Sequence, residues 1–240
     1  MSTLRRFWDH ASVTESPAGY AILLDAKPMR IPGGTPLLIQ QRPLADAIAA
    51  EWQAAGGQNG GKLTYDAVPL TRLAGTAQDR IAPDPAPVAL ELARYAETDL
   101  LCYRAPHPQP LVDRQTRVWQ PWLDWLATRH DVRLKPVAGV MFQPQDPAAL
   151  AQIQHLMRAQ PPATLAALGI AIPCLGSAVL GLALADGAID PTAAHLAATL
   201  DELFEAEAWG DDLEAEHRRA NAAADIALAD RFIRLTKAPA

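Results

Sequence analysis

ATLAALGIAIPCLGSAVLGLALA, residues 163–185, decides the architecture, because a run this long and apolar reads either as a membrane span or as part of a soluble core. From Ala159 to Ala185 no residue is charged. The run is nevertheless rich in Ala and Gly. It follows the pair Pro161-Pro162, carries Pro173 in its middle and lacks the aromatic residues that anchor a span at the two interfaces. These features predict two short buried helices joined at IPCLGS, residues 172–177, and no membrane association.

Around this run, every segment from Pro147 onward carries a helical pattern: AALAQIQHLMRAQ, PTAAHLAATLDELFEAEAW and LEAEHRRANAAADIALADRFIRL. In the second of these, Leu196, Leu200, Leu203 and Phe204 fall at helical spacing and predict one core stripe. The first forty residues differ. GYAILLD, MRI and PLLIQ are apolar runs separated by AKP and PGGT, the signature of a β-meander. After Pro43, Leu44, Ile48 and Trp52 mark one stripe of a helix that ends at Gly56-Gly57 and should lie on the sheet.

In the middle of the chain, VPLTRLAGTAQDRI and VALELARYAETDL read as helices, the latter with two competing faces: Val88, Leu92 and Tyr95, or Leu90, Ala93 and Glu97. LLCYRA reads as a short buried strand and LKPVAGVM as a return to the sheet. LVDRQTRVWQPWLDWLATRHD predicts a helix with Val118, Trp122 and Trp125 near one face and a kink or break at Pro121. The expected fold class is therefore α+β, an amino-terminal α/β domain (residues 1–145) with a small, largely antiparallel sheet, followed by an all-α domain (residues 146–240).

Composition narrows the function. Half of the 240 residues are apolar, enough for a core without staples, and Cys102 and Cys174 stand in no CxxC or CxxH pattern, so a reducing compartment is expected. A net charge of −6 repels phosphate backbones, and no Lys/Arg run offsets it, which argues against nucleic acid. MSTLRRFWDHASV lacks an apolar h-region, so a cytoplasmic location is expected.

Motifs for chemistry are sparse. Gly56, Gly61 and Lys62 in GGQNGGKL satisfy GxxxxGK, and the alternative function they would carry is nucleotide binding. Leu63, however, stands where Ser or Thr must hold magnesium, and the loop follows a helix instead of a strand. His10, His107, His130, His155, His195 and His217 are dispersed with no metal-ligand spacing. Ser177 lacks a GxSxG elbow, and Glu97 and Asp99 form a carboxylate pair only in sequence. No catalytic residue, metal site or cofactor is expected.

The remaining polar feature is AEAWGDDLEAEHRRA, residues 206–220. Residues 201–216 hold eight acids and no Lys or Arg. Gly210 is a natural helix stop, and Asp211 with Glu214 three positions on resembles a capping box. That leaves Asp212, Glu216 and the density of charge to be explained by a solvated face or by a docking patch for a basic or partly folded protein surface.

Taken in order, RRFW, LDAKPMRIPGGTPL, LADAIAAEW, VPLTRLAGTAQDRI, YAETDLLCYRA, LVDRQTRVWQPWLDWL, GVM, LGSAVLGLAL and AEAWGDDLEAEHRRA resemble the Atp12 family, assembly chaperones of the F1 sector of ATP synthase, from about Arg5 to Leu235. The resemblance implies an α/β domain followed by an orthogonal helical bundle, and an activity without chemistry: binding the F1 α subunit until the β subunit takes its place. It implies an acidic residue of functional weight near the Trp-Gly pair; the absence of a transit-like leader adds the expectation of a bacterial type of the family, monomeric or weakly associating. The partner-binding residues it marks are Trp209, Asp211, Asp212, Glu214, Glu216, Arg218 and Arg219, with Glu214 slightly preferred among the acids.

Overall fold

The computed structural model describes residues 4–31, 34–210 and 212–237. Grouped by contact, the chain forms two compact units: residues 1–84 with 162–166 and 231–240, and residues 85–161 with 167–230. A single cut after residue 145 marks a change of element type, since the last strand among the described residues ends at Ala138, and it does not separate these two units.

In the first unit, β1 (Leu4–Arg5) precedes the hairpin of β2 (Ala11–Ser16) and β3 (Gly19–Leu24), which pair from Ala11↔Leu24 to Ser16↔Gly19. On the other side of β3 lie β4 (Lys27–Pro28) and β5 (Leu38–Ile39), both antiparallel to it. The β3–β4 turn places Asp25 and Ala26 at φ 47° and 65°, the left-handed geometry of a tight hairpin. The Asp25 carboxylate accepts hydrogen bonds from the backbone N–H groups of His10 and Asp9, which hold its pKa below the ordinary value. β2 was not foreseen as a strand, although ASVTES carries the β-branched Val13 and Thr14.

The helix α1 (Arg42–Ala54) forms as expected and packs on β2 and β3, burying Leu44, Ile48 and Trp52 with Ala45 and Ala49. The Trp52 ring meets Trp8 at a tilt of 60° with centroids 5.0 Å apart, and its indole N–H donates to Thr71 Oγ1. After β6 (Lys62–Leu63), which pairs with β1, the helix α2 (Pro69–Thr76) lacks a capping side chain of its own. Glu51 of α1 substitutes: its carboxylate accepts from the N–H groups of Leu70 and Thr71 at 2.7 and 3.1 Å. A single π turn, Ala77–Ile81, extends α2.

In the second unit, α3 (Ala86–Ala93) buries Ala89, Leu92 and Ala93 and leaves Leu90 and Glu97 exposed, which favours the Val88–Leu92–Tyr95 face. LLCYRA is mostly a 3-10 turn, Leu100–Cys102, with only Tyr103–Arg104 extended as β7. The helix α4 (Gln109–His130) runs unbroken through Pro121, which is exposed. Its core face is Gln115, Trp119, Leu123 and Leu126, one residue round from the expected stripe; Val118, Trp122 and Trp125 sit at its half-buried margin. β8 (Val137–Ala138) pairs in parallel with β7, so LKPVAGVM joins a separate two-stranded ladder and not the amino-terminal sheet.

The helix α5 (Pro147–Arg158), capped by Asp146, precedes the run that decided the architecture. That run forms α6 (Pro162–Leu175) and α7 (Ala178–Asp186), parted at Gly176-Ser177 as the sequence predicts. Among the described residues no helix is long and apolar enough to cross a membrane. Gly181 of α7 faces Ile172 so closely that an added Cβ would stand 2.4 Å from Ile172 Cγ1. Gly181→Ala should cost about 1–3 kcal/mol by overpacking, read as a lowered denaturation midpoint at unchanged far-UV circular dichroism; a neutral effect would show that the two helices slide apart at no cost.

The sequence PTAAHLAATLDELFEAEAW, expected as one helix, is two: α8 (Pro191–Ala198) and α9 (Leu200–Trp209). Thr199 lies between them at φ −101°, ψ 12°, its hydroxyl donating to the carbonyl of His195. That break rotates the face, so Leu200 is buried, Leu203 and Phe204 are half-buried and Leu196 is exposed. The last helix, α10 (Leu213–Thr236), follows Gly210.

Candidate docking site

The end of α9 and the start of α10 form the acidic block, and their order comes from local chemistry. Gly210 has φ 90°, a conformation that favours glycine, and it stops α9 after Trp209. The next helix begins at Leu213, with the Asp212 carboxylate 3.4 Å from the backbone N of Glu214 and its carbonyl bonded by the N–H of Glu216. Asp212 therefore supplies a cap to the first turn of α10, while the box expected from spacing pairs Asp211 with Glu214. Asp211 itself lies outside the described residues.

Part of the acidic charge is spent internally. Glu207 accepts both guanidinium nitrogens of Arg114 at 2.7 and 2.8 Å, which holds its carboxyl below the usual range, while the same guanidinium lies 5.1 Å above the Phe204 ring. Asp201 accepts from the Gln115 side chain at 2.8 Å, and burial raises its pKa. Glu202 pairs with Arg218 at 3.0 Å and lies 3.8 Å from Arg219. Arg218 stays largely exposed, but Arg219 is buried, its side chain only 10% exposed, so it tethers α10 to α9.

What remains faces solvent. Trp209 is 89% exposed and Leu213 73%, and around them Glu205, Asp212, Glu214 and Glu216 are exposed and form no ion pair among the described residues. A fully exposed indole beside a leucine, ringed by unpaired carboxylates, presents an apolar knob in a negative field. Such a surface is complementary in character to an apolar patch with a basic border.

The other sequence candidates resolve into structure. The glycine-rich loop does not cradle an anion: the carbonyls of Gln53, Ala55 and Gly57 converge on the guanidinium of Arg6, at 2.7, 3.1 and 2.7 Å. Two loop amides are consumed as well, Gly60 N–H by the Arg6 carbonyl and Gly61 N–H by Gln58. Oxygens pointing inward select a cation, and the chain supplies its own, so this geometry does not support nucleotide binding. Among the described residues no group of three or more His, Cys, Asp or Glu side chains is placed to hold a metal.

Glu97 is exposed while Asp99 is fully buried, so the two do not form an acid pair. Asp99 instead accepts from Ser177 Oγ at 2.7 Å and from the N–H groups of Leu101 and Val179 at 3.1 Å, and burial pushes its pKa up to about 6. Ser177 in turn caps α7 by accepting from Leu180 N–H. Cys102 is buried, its thiol pushed up to about 12 by desolvation, and Cys174 is half-buried; both are free. Val140, Met141 and Phe142 stand exposed after β8, an apolar patch that no periodic pattern in LKPVAGVM marks.

The family model described as ATP12 chaperone protein matches residues 5–127. Over 97% of this chain and 98% of the other, the fold is similar to the crystal structure of Atp12 from Paracoccus denitrificans, at 41% identity and a TM-score of 0.91. A protein of Agrobacterium tumefaciens described as a candidate chaperone is similar at 38% identity and a TM-score of 0.89, over 98% of this chain and 87% of that one.

Proposed function

The chain belongs to the ATP12 chaperone family, which serves ATP synthase assembly, and from that premise we propose that it binds the unassembled F1 α subunit, keeps it from aggregating and releases it to the β subunit. The observation that carries the reading is the exposed Trp209–Leu213 knob among unpaired acids. An unassembled subunit exposes apolar surface that its neighbour later covers, and such surface aggregates unless a transient binder shields it. Trp209 and Leu213 supply the apolar contact. Asp212, Glu214, Glu216 and Arg218 supply a polar, exchangeable rim, so that the binder loses to the true partner.

In this reading the protein works in the cytoplasm as a monomer. Its test is co-expression of F1 α with and without the chain: soluble α should rise and a complex should elute. Unchanged solubility with no complex would overturn it. Within the site, Trp209→Ser should weaken α binding about tenfold, as loss of an exposed aromatic anchor does. Glu214→Gln should weaken it less and mainly by slowing association. Neither should move the melting temperature, because neither side chain is packed; a lowered melting temperature would assign the segment a structural role instead.

A further inference from the structure

The acidic block has a counterpart of opposite charge in the first unit. A groove of about 410 Å³ lies among the aromatic pair Trp8 and Trp52, the apolar side chains of Met29 and Leu63, and the rim cations Arg5, Lys27 and Arg30. Its volume falls in the range of clefts that hold a ligand, with room for an anchoring aromatic or aliphatic side chain. Phe7, 60% exposed, and Tyr65 also line it and remain open to solvent.

Charge says what covers it. The chain carries 27 acids against 21 Lys and Arg, yet the lining contains three cations and no carboxylate. None of the three makes an ion pair among the described residues: Arg5 and Arg30 spend one nitrogen each on the carbonyls of Gly60 and Gly34. An apolar floor with an unpaired basic rim in a protein of net charge −6 is complementary to an apolar group flanked by carboxylates. Membership of a chaperone family makes that group part of a polypeptide.

We propose that this groove binds an extended client segment in which a large apolar side chain is flanked by acidic residues. The proposal rests on the chaperone reading for the class of occupant and not on the identity of the F1 α subunit. Client contact is then two-sided: the carboxy-terminal knob takes apolar surface with a basic border, and the groove takes the reverse.

The test is titration calorimetry of the full chain with the capped hexapeptide Glu-Glu-Leu-Phe-Glu-Glu at low salt. Two controls accompany it, one with lysine for every glutamate and one with Ser-Gly for Leu-Phe. The acidic apolar peptide should bind, and both controls should bind at least about tenfold more weakly. Lys27→Glu with Arg30→Glu should reduce its affinity by a similar factor, and Phe7→Ala should reduce it while leaving the charges in place. These exposed positions permit a check that melting is unchanged. Equal binding of the three peptides, or binding indifferent to both variants, overturns the proposal. So does retention by anionic vesicles that depends on Lys27 and Arg30 when the peptide does not bind. Because F1 α is absent from this experiment, its failure leaves the co-expression result standing, and the converse also holds.

Discussion

Arg6→Ala should lower the stability by about 3–5 kcal/mol, on the order of a 10 °C drop in melting temperature for a chain of this size. Arg6 is 5% exposed and donates to five backbone carbonyls, those of Trp8, Asp9, Gln53, Ala55 and Gly57. Among the described residues no carboxylate hydrogen-bonds the guanidinium, so its direct partners are carbonyl dipoles, with the Asp25 carboxylate acting on it only through space. Removing the guanidinium strands those oxygens, several of them away from water, and it also withdraws the cation lying 5.4 Å from the Trp8 ring. Arg6→Lys should recover little, because one ammonium has three donors and no planar fork to span carbonyls arrayed around the site. Lys62→Ala, at an exposed position of the same glycine-rich turn, should be nearly neutral. Thermal melts of the three variants decide the matter: a loss below about 1 kcal/mol for Arg6→Ala would show that the loop closes on itself and that the arginine is incidental.

That arginine also marks the limit of what sequence could deliver. Local signals read well where period and punctuation agree: Leu44, Ile48 and Trp52 mark a helix that ends before glycine, and the uncharged run breaks at Gly176-Ser177. Arg6 was one of two adjacent arginines in RRFW, and the carbonyls that give it meaning lie 47 to 51 residues further on. Nothing local distinguishes a cation gripped by a loop from one in solvent, so from sequence alone GGQNGGK offers only a partial phosphate-loop pattern. The stripe on α4 went wrong by a smaller margin. Trp119 is the core ring because its indole N–H reaches the carbonyl of Ala197, a tertiary partner that periodicity does not see. In the acidic block, the density of charge is legible in the sequence but its division is not: Glu202 and Glu207 are paired, Arg219 is buried, and the Asp212 carboxylate meets the first turn of α10.

The YAETDLLCYRA and LGSAVLGLAL segments, separate strings in the sequence, meet at Asp99, and the second large effect is expected there. Its carboxylate takes the Ser177 hydroxyl and the N–H of Val179 at the start of α7, together with the N–H of Leu101 in its own 3-10 turn. Asp99→Ala should cost about 3–5 kcal/mol, since it leaves a hydroxyl and backbone donors buried without acceptors. Asp99→Asn keeps the volume and removes the titration, which isolates the pH effect. Burial raises the folded pKa from 3.8 to about 6, so the folded state holds this proton more tightly than the unfolded chain. The stabilisation is complete below about pH 4 and is lost as pH rises through about 6. Roughly two pH units at about 1.4 kcal/mol each amount to a loss on the order of 3 kcal/mol. Measured by denaturant titration, the stability of the natural chain relative to Asp99→Asn should therefore fall by that order between pH 4 and 7 and stay level above. A difference that is flat across this range would mean that the converging donors offset burial and keep Asp99 ionised throughout. A difference that is flat there but rises with pH below about 4 would mean that they depress its pKa, and Asp99 would then act as a fixed anion at the start of α7 rather than as a protonated acid within the core.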